Sequence, residues 1–271
     1  VDFLSITPLF ERLHDYMMAL GFVMARMTGL IIVMPAFTRL GLTGILRGAI
    51  ALVFAIPLVP TVVAALAREH LTPMTIAALL PKEVVIGLMI GLVLGVPIWA
   101  AEAAGNILDV QRGSSSASLF DPSSAEDVGI TGTLLALVMA ALYFGSGGLP
   151  LTLRTVYESY GIWPVVNILP VLSPATGEFF LALLDNVIVM GLVLVAPIVV
   201  FMLLADLLLA LVSRAAPNLN VFALSLSTKN LIFALLLVLY SAFLLKYMGN
   251  DLSSLLHAGS DIEKLAKPPA K

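Results

Sequence analysis

The chain has 271 residues, 60% of them hydrophobic and 11% charged, where an ordinary soluble domain carries about 25% charged residues. A mean hydropathy of +1.07 excludes a soluble globular protein, and a formal net charge of −3 supplies no concentrated basic face for nucleic acid, so no nucleic-acid partner is expected. Cysteine is absent, which excludes disulfides, thiolate metal sites and thiol nucleophiles.

The composition predicts an all-α, multi-helix integral membrane protein with kinked helices and helical hairpins. Residues 1–15 lack the layout of a signal peptide, since Asp2, Glu11, Arg12 and Asp15 are interleaved with apolar residues; an interfacial amphipathic helix is expected there. Six apolar segments follow, at 16–37, 45–67, 84–101, 130–153, 187–205 and 231–245. A full span takes about 20 apolar residues, so the second and fourth suffice, while the first carries Arg26 and the sixth is short. Several of these segments are therefore expected to be surrounded by protein rather than lipid. The distribution of Lys and Arg favours both termini in the cytoplasm.

In the third segment Gly87, Gly91 and Gly95 recur every four residues and share one helix stripe, the spacing that lets a second backbone approach closely. Between the third and fourth segments, residues 111–127 read QRGSSSASLFDPSSAED. Open backbone of this kind cannot face hydrocarbon, so the stretch faces water or lines a protein-enclosed cavity. Gly113, Ser114, Ser115, Ser116, Ala117 and Ser118 make it narrow and pliant, Leu119 and Phe120 add apolar bulk, and Asp121-Pro122 sets a turn. On these residues alone, an ordinary solvated loop is the simpler alternative. Toward the C-terminus, Pro197 predicts a kink, and Pro217 with Asn220 predicts a turn that closes a helical hairpin over 179–249. Residues 260–271 read as a flexible tail.

Charge inside apolar segments costs about 2.5–3.5 kcal/mol at the bilayer centre, so each such residue needs a partner or water. Lys82, Glu83, Glu102, Asp185 and Lys229 lie in or beside apolar stretches, but only Arg26 and Asp206 have long apolar runs on both sides. They are candidate intramembrane charges, by a proton or ion path or by pairing between helices. Enzyme chemistry has little support. His14, His70 and His257 lack a second ligand at metal spacing, and neither a GxSxG elbow nor a phosphate-binding GxxxxGK[ST] loop occurs. No catalytic residue, cofactor or metal is expected.

Two blocks carry a family resemblance. Lys82-Glu83 through Gly95, Ala104-Gly105-Asn106-Ile107, Gln111-Arg112-Gly113 and Leu119-Phe120-Asp121-Pro122 form the first. Asp206, Leu211-Val212-Ser213-Arg214, Ala216-Pro217, Leu219-Asn220-Val221-Phe222 and Leu224 form the second. In order and separation they resemble the FliR/SctT family of type III protein export, and the serine-rich loop is more similar to its injectisome branch than to its flagellar one. The resemblance implies a FliP-like body with a FliQ-like C-terminal hairpin, in one export-gate domain over residues 1–259. It also implies assembly with FliP/SctR-type and FliQ/SctS-type subunits and an FlhB/SctU-type switch protein in the bacterial inner membrane, part of the assembly standing on the periplasmic side. Unfolded secretion substrates would pass through, and Gly113 to Pro122 would belong to a plug closing the pore at rest. Two other functions compete: a multi-pass small-molecule or ion transporter with a site built from Arg26, Asp206 and broken helices, and a scaffold that only nucleates assembly.

Overall fold

The computed structural model describes residues 3–68, 72–113, 129–170, 176–215, 221–253, 255 and 262. Among them the regular structure is helical with no strand, as an all-α membrane protein requires. The helices are α1 (Phe3–Val33), α2 (Pro35–Thr38), α3 (Gly44–Ala55), α4 (Val59–Leu66), α5 (Pro73–Gln111), α6 (Ile130–Gly145), α7 (Gly148–Ile162), α8 (Thr176–Ala215) and α9 (Val221–Ser253), with a 3-10 turn at Ile56–Leu58. Five helical stretches are long and apolar enough to cross a membrane, or six if α6 and α7 count as one broken span. The protein is therefore a multi-pass membrane protein.

Two sequence expectations change. The amphipathic N-terminal stretch is not a separate element, because α1 continues without a break into the first span. The stretch 130–153 is two helices rather than one continuous helix: α6 ends at Gly145 and α7 begins at Gly148. Gly147 lies between them at φ 86°, a left-handed conformation that favours glycine. Further on, α8 runs through Pro197 as a continuous helix of 40 residues.

The chain divides into two compact units. The first comprises residues 1–95, 144–182 and 255–271. Its core holds Phe22, Val23, Met27, Leu30 and Ile31 of α1 with Leu79, Ile86, Ile90 and Leu94 of α5, and α1 also packs against α3 and α4. Glycines set the spacing of the α1–α5 crossing. A Cβ at Gly87 would overlap the Arg26 carbonyl, one at Gly91 would lie 2.9 Å from the Leu30 oxygen, and one at Gly29 would overlap the Val84 carbonyl. Gly95, next on the same stripe, is buried.

The second unit comprises residues 96–143 and 183–254. The last turns of α5 meet the start of α6 at another glycine contact, where a Cβ on Gly105 would lie 2.5 Å from the Gly132 Cα. A Cβ on Gly191 of α8 would lie 2.8 Å from the Ala100 oxygen, so this helix also packs closely on α5. Much of the α8–α9 hairpin surface is apolar and exposed, including Leu192, Val193, Leu207, Leu208, Leu235 and Val238.

Candidate functional site

Each unit holds one polar centre within apolar surroundings. In the first unit, Arg26 is fully buried near the middle of the apolar part of α1, and every edge of its guanidinium is used. Nε donates to Glu83 Oε2 at 2.6 Å, Nη1 to Ser159 Oγ at 2.8 Å and Nη2 to the Trp163 carbonyl at 2.9 Å. The Tyr160 ring lies flat against it, 3.7 Å from the guanidinium carbon. Planar geometry, five fixed donors and weak hydration suit arginine to such a site. The Ser159 hydroxyl donates in turn to the Val156 carbonyl at 2.6 Å.

Lys82 completes the cluster. Its ammonium donates to the carbonyls of Pro164, Val165 and Asn167 at 3.0, 2.8 and 2.9 Å, collecting acceptors just beyond the C-terminal end of α7. It also lies 2.8 Å from Glu83 Oε1, an ion contact without hydrogen-bond alignment. Two cations thus share one carboxylate, and peptide carbonyls solvate the excess positive charge. A clamp of α1, α5 and the segment after α7 is the chemical content of this centre; it binds its own backbone. Sequence reading singled out Arg26 and placed Lys82 and Glu83 at a segment edge. It missed Ser159 and Tyr160, whose setting in an otherwise ordinary amphipathic stretch gives no local signal.

The second centre is built at the end of α5. Gly113, at φ 77°, ends the helix, its N–H donating to the Val110 carbonyl at 3.0 Å. Four residues earlier, Asp109 is almost fully buried and accepts from the Thr131 backbone N–H at 2.9 Å, the Thr131 hydroxyl at 2.6 Å and the Gly132 N–H at 3.4 Å. These donors belong to the first turn of α6, where backbone N–H groups lack helical partners and negative charge is favoured. Arg112 closes the ring on Asp109 at 2.6 Å and faces the Phe233 ring of α9 at 4.9 Å. Asp206 of α8 pairs with Lys229 of α9 at 2.8 Å, and Lys229 also donates to the Gln111 carbonyl at 3.2 Å.

Of the residues singled out as a plug, Gly113 is the half-buried helix terminator just described, while Ser114, Ser115, Ser116, Ala117, Ser118, Leu119, Phe120, Asp121 and Pro122 lie outside the described residues. Arg26 and Asp206 belong to different units, and each is paired within its own. Asp109 is the main omission of sequence reading. The pattern Asp109-x-x-Arg112-Gly113, an i,i+3 pair followed by a helix-ending glycine, is the signal that could have found it. Among the described residues no group of His, Cys, Asp and Glu is arranged to hold a metal.

Comparison with known proteins matches the sequence to a family. Residues 17–255 match the family described as bacterial export proteins, family 1. The Yop proteins translocation protein T of Yersinia pestis is 35% identical over 219 residues, covering 80% of this chain and 84% of that protein. The surface presentation of antigens protein SpaR of Salmonella typhimurium is 32% identical over 226 residues, covering 82% and 81%. The flagellar biosynthetic protein FliR of Bacillus subtilis is 27% identical over 173 residues, covering 64% and 67%. The family match spans both polar centres, α1 from residue 17 onward and every later helix, and the chain belongs to bacterial export proteins, family 1.

Proposed function

We propose that this chain is an export-gate subunit of a bacterial type III secretion apparatus, a non-enzymatic part of the protein-conducting channel in the inner membrane. The observation that carries the reading is the match over residues 17–255, with relatives named for Yop protein translocation, antigen presentation at the surface and flagellar biosynthesis. Identity is higher to the Yop translocation protein than to the flagellar one, which favours an injectisome over a flagellum. The partners are FliP/SctR-type and FliQ/SctS-type subunits and an FlhB/SctU-type switch protein, with unfolded substrates in transit. The transporter reading is not favoured, because the relatives are named for export and translocation, and Arg26 and Asp206 each have an ionic partner within their own unit.

In this reading the segment from Gly113 to Pro122 supplies the plug. Its support is the fixed root: Asp109 ties the end of α5 to the first turn of α6, so the connection leaves and returns at one tethered place. Deleting residues 114–119 is expected to make assembled complexes leaky to small ions and solutes. Leak at background, in complexes of normal composition, would show that the segment is not the seal. Subunit identity is tested by native mass spectrometry of the tagged chain co-expressed with its presumed partners. One copy of this chain in a hetero-oligomer is expected, and a lone monomer or homodimer would sink the reading.

A further inference from the structure

The C-terminal end of α5 is held by α8 and α9 as well as by α6, the helix that follows it in sequence. The last carbonyls of any helix lack intrahelical N–H donors. Here the Gln111 carbonyl takes the Lys229 ammonium of α9 at 3.2 Å, while the Gln111 amide reaches Asp206 Oδ2 at 3.5 Å. The next residue, Arg112, faces Phe233, one turn along α9 from Lys229. Ser225, a turn before Lys229, donates to Asp206 Oδ1 at 3.4 Å, so one stripe of α9 holds the whole contact. Lys229 is largely buried, its side chain 16% exposed, and it places positive charge on the negative end of the α5 dipole.

From this geometry we infer that Lys229 is a positioning residue: it anchors residues 111–113 to the α8–α9 hairpin, so that a shift of α9 is transmitted to the root of the connection between α5 and α6. The functional consequence rests on the gate reading above; the anchoring does not. Asp206 holds Lys229 in place, and Arg112 against Phe233 supplies the second point of contact that turns a pivot into a fixed joint.

The absence of cysteine makes the test direct. Ser114→Cys is introduced as the sole thiol of this chain, and maleimide labelling of this chain's band is timed in the complete assembled complex. Lys229→Met is expected to speed labelling about two- to fivefold, the scale set by one charge at a helix end. Lys229→Arg retains charge and donors and is expected to label at the parental rate. The exchange Asp206→Lys with Lys229→Asp restores an ion pair within the hairpin but puts an acceptor opposite the Gln111 carbonyl, so fast labelling is expected to persist. A parental rate in Lys229→Met, or full restoration by the exchange, overturns the inference, because the pair would then serve only the hairpin. Should Lys229→Met assemble poorly, Phe233→Leu removes the second contact, and unchanged labelling there overturns the joint. Leak of the 114–119 deletion, measured in parallel, reports on the gate reading alone, so the two failures are distinguishable.

Discussion

An arginine in an apolar helix is held by what surrounds it, and Arg26 has three hydrogen bonds, a carboxylate and an aromatic face within one buried cluster. Glu83 depends on it equally, since Lys82 is already committed to three carbonyls. Removing one partner of a buried pair leaves a charge without compensation, at a cost of about 3–5 kcal/mol, whereas removing both is often close to neutral. Arg26→Met is therefore expected to lower the thermal unfolding midpoint of the detergent-extracted protein strongly. Arg26→Met combined with Glu83→Gln is expected to recover much of the loss. If the double variant falls by the sum of the two single losses, the residues are not coupled and the cluster is misread. The charge itself was visible in the sequence, because apolar runs flank it. Its partners were not, because Glu83 and Ser159 lie 57 and 133 residues away and neither carries a local mark of the meeting.

At the scale of elements, small residues decide which helices touch. The every-fourth spacing of Gly87, Gly91 and Gly95 was legible as a packing stripe, but a stripe does not say what packs on it. The structure puts α1 of the same chain against Gly87 and Gly91, so larger residues there would disturb this chain's own fold before any contact with another subunit. A graded series follows from the space available. Gly87→Ala would drive a methyl group into the Arg26 carbonyl and is expected to cost about 1–3 kcal/mol, the range for overpacking. Gly91→Ala, with the Leu30 oxygen 2.9 Å from the new carbon, should cost less. Gly48→Ala in α3 meets nothing within 4 Å and should gain up to ~1 kcal/mol from helix propensity. Thermal unfolding of the three variants side by side checks the order, and equal losses at 48 and 87 would refute the contact. The break between α6 and α7 shows the opposite limitation. Gly145-Ser146-Gly147-Gly148 carries its own punctuation, yet the apolar residues on both sides made 130–153 read as one span. Hydrophobicity reports burial or lipid, and a helix that stops and restarts keeps both.

At the scale of the whole molecule, the α8–α9 hairpin bears more apolar surface than a bilayer covers. From Asp185 to Asp206, α8 advances 21 residues, ~31 Å at 1.5 Å per residue, about one hydrocarbon thickness. The Asp206–Lys229 pair, partly open to solvent, is well placed at one edge of such a slab. Beyond it Leu207, Leu208, Leu211 and Val212 remain exposed, Leu207 at 64% and Leu208 at 62%. Four large apolar residues near the end of α8 are costly to leave in water at about 25 cal/mol per Å², so on the gate reading a partner subunit is expected to cover them. Leu208→Cys is expected to react readily with a water-soluble maleimide in the chain expressed alone and to be protected when the FliP/SctR-type and FliQ/SctS-type subunits are co-expressed. Val193→Cys, which lies between the two charged levels, should stay unreactive in both states because lipid or detergent tails cover it. Equal reactivity of Leu208→Cys with and without partners, in complexes shown to contain all three subunits, would place this end of α8 outside the subunit interface. The slab assignment is tested separately: ready reaction of Val193→Cys, or an unreactive Leu208→Cys in the chain expressed alone, would overturn it, because the slab divides the lipid-covered part of α8 from the part beyond Asp206.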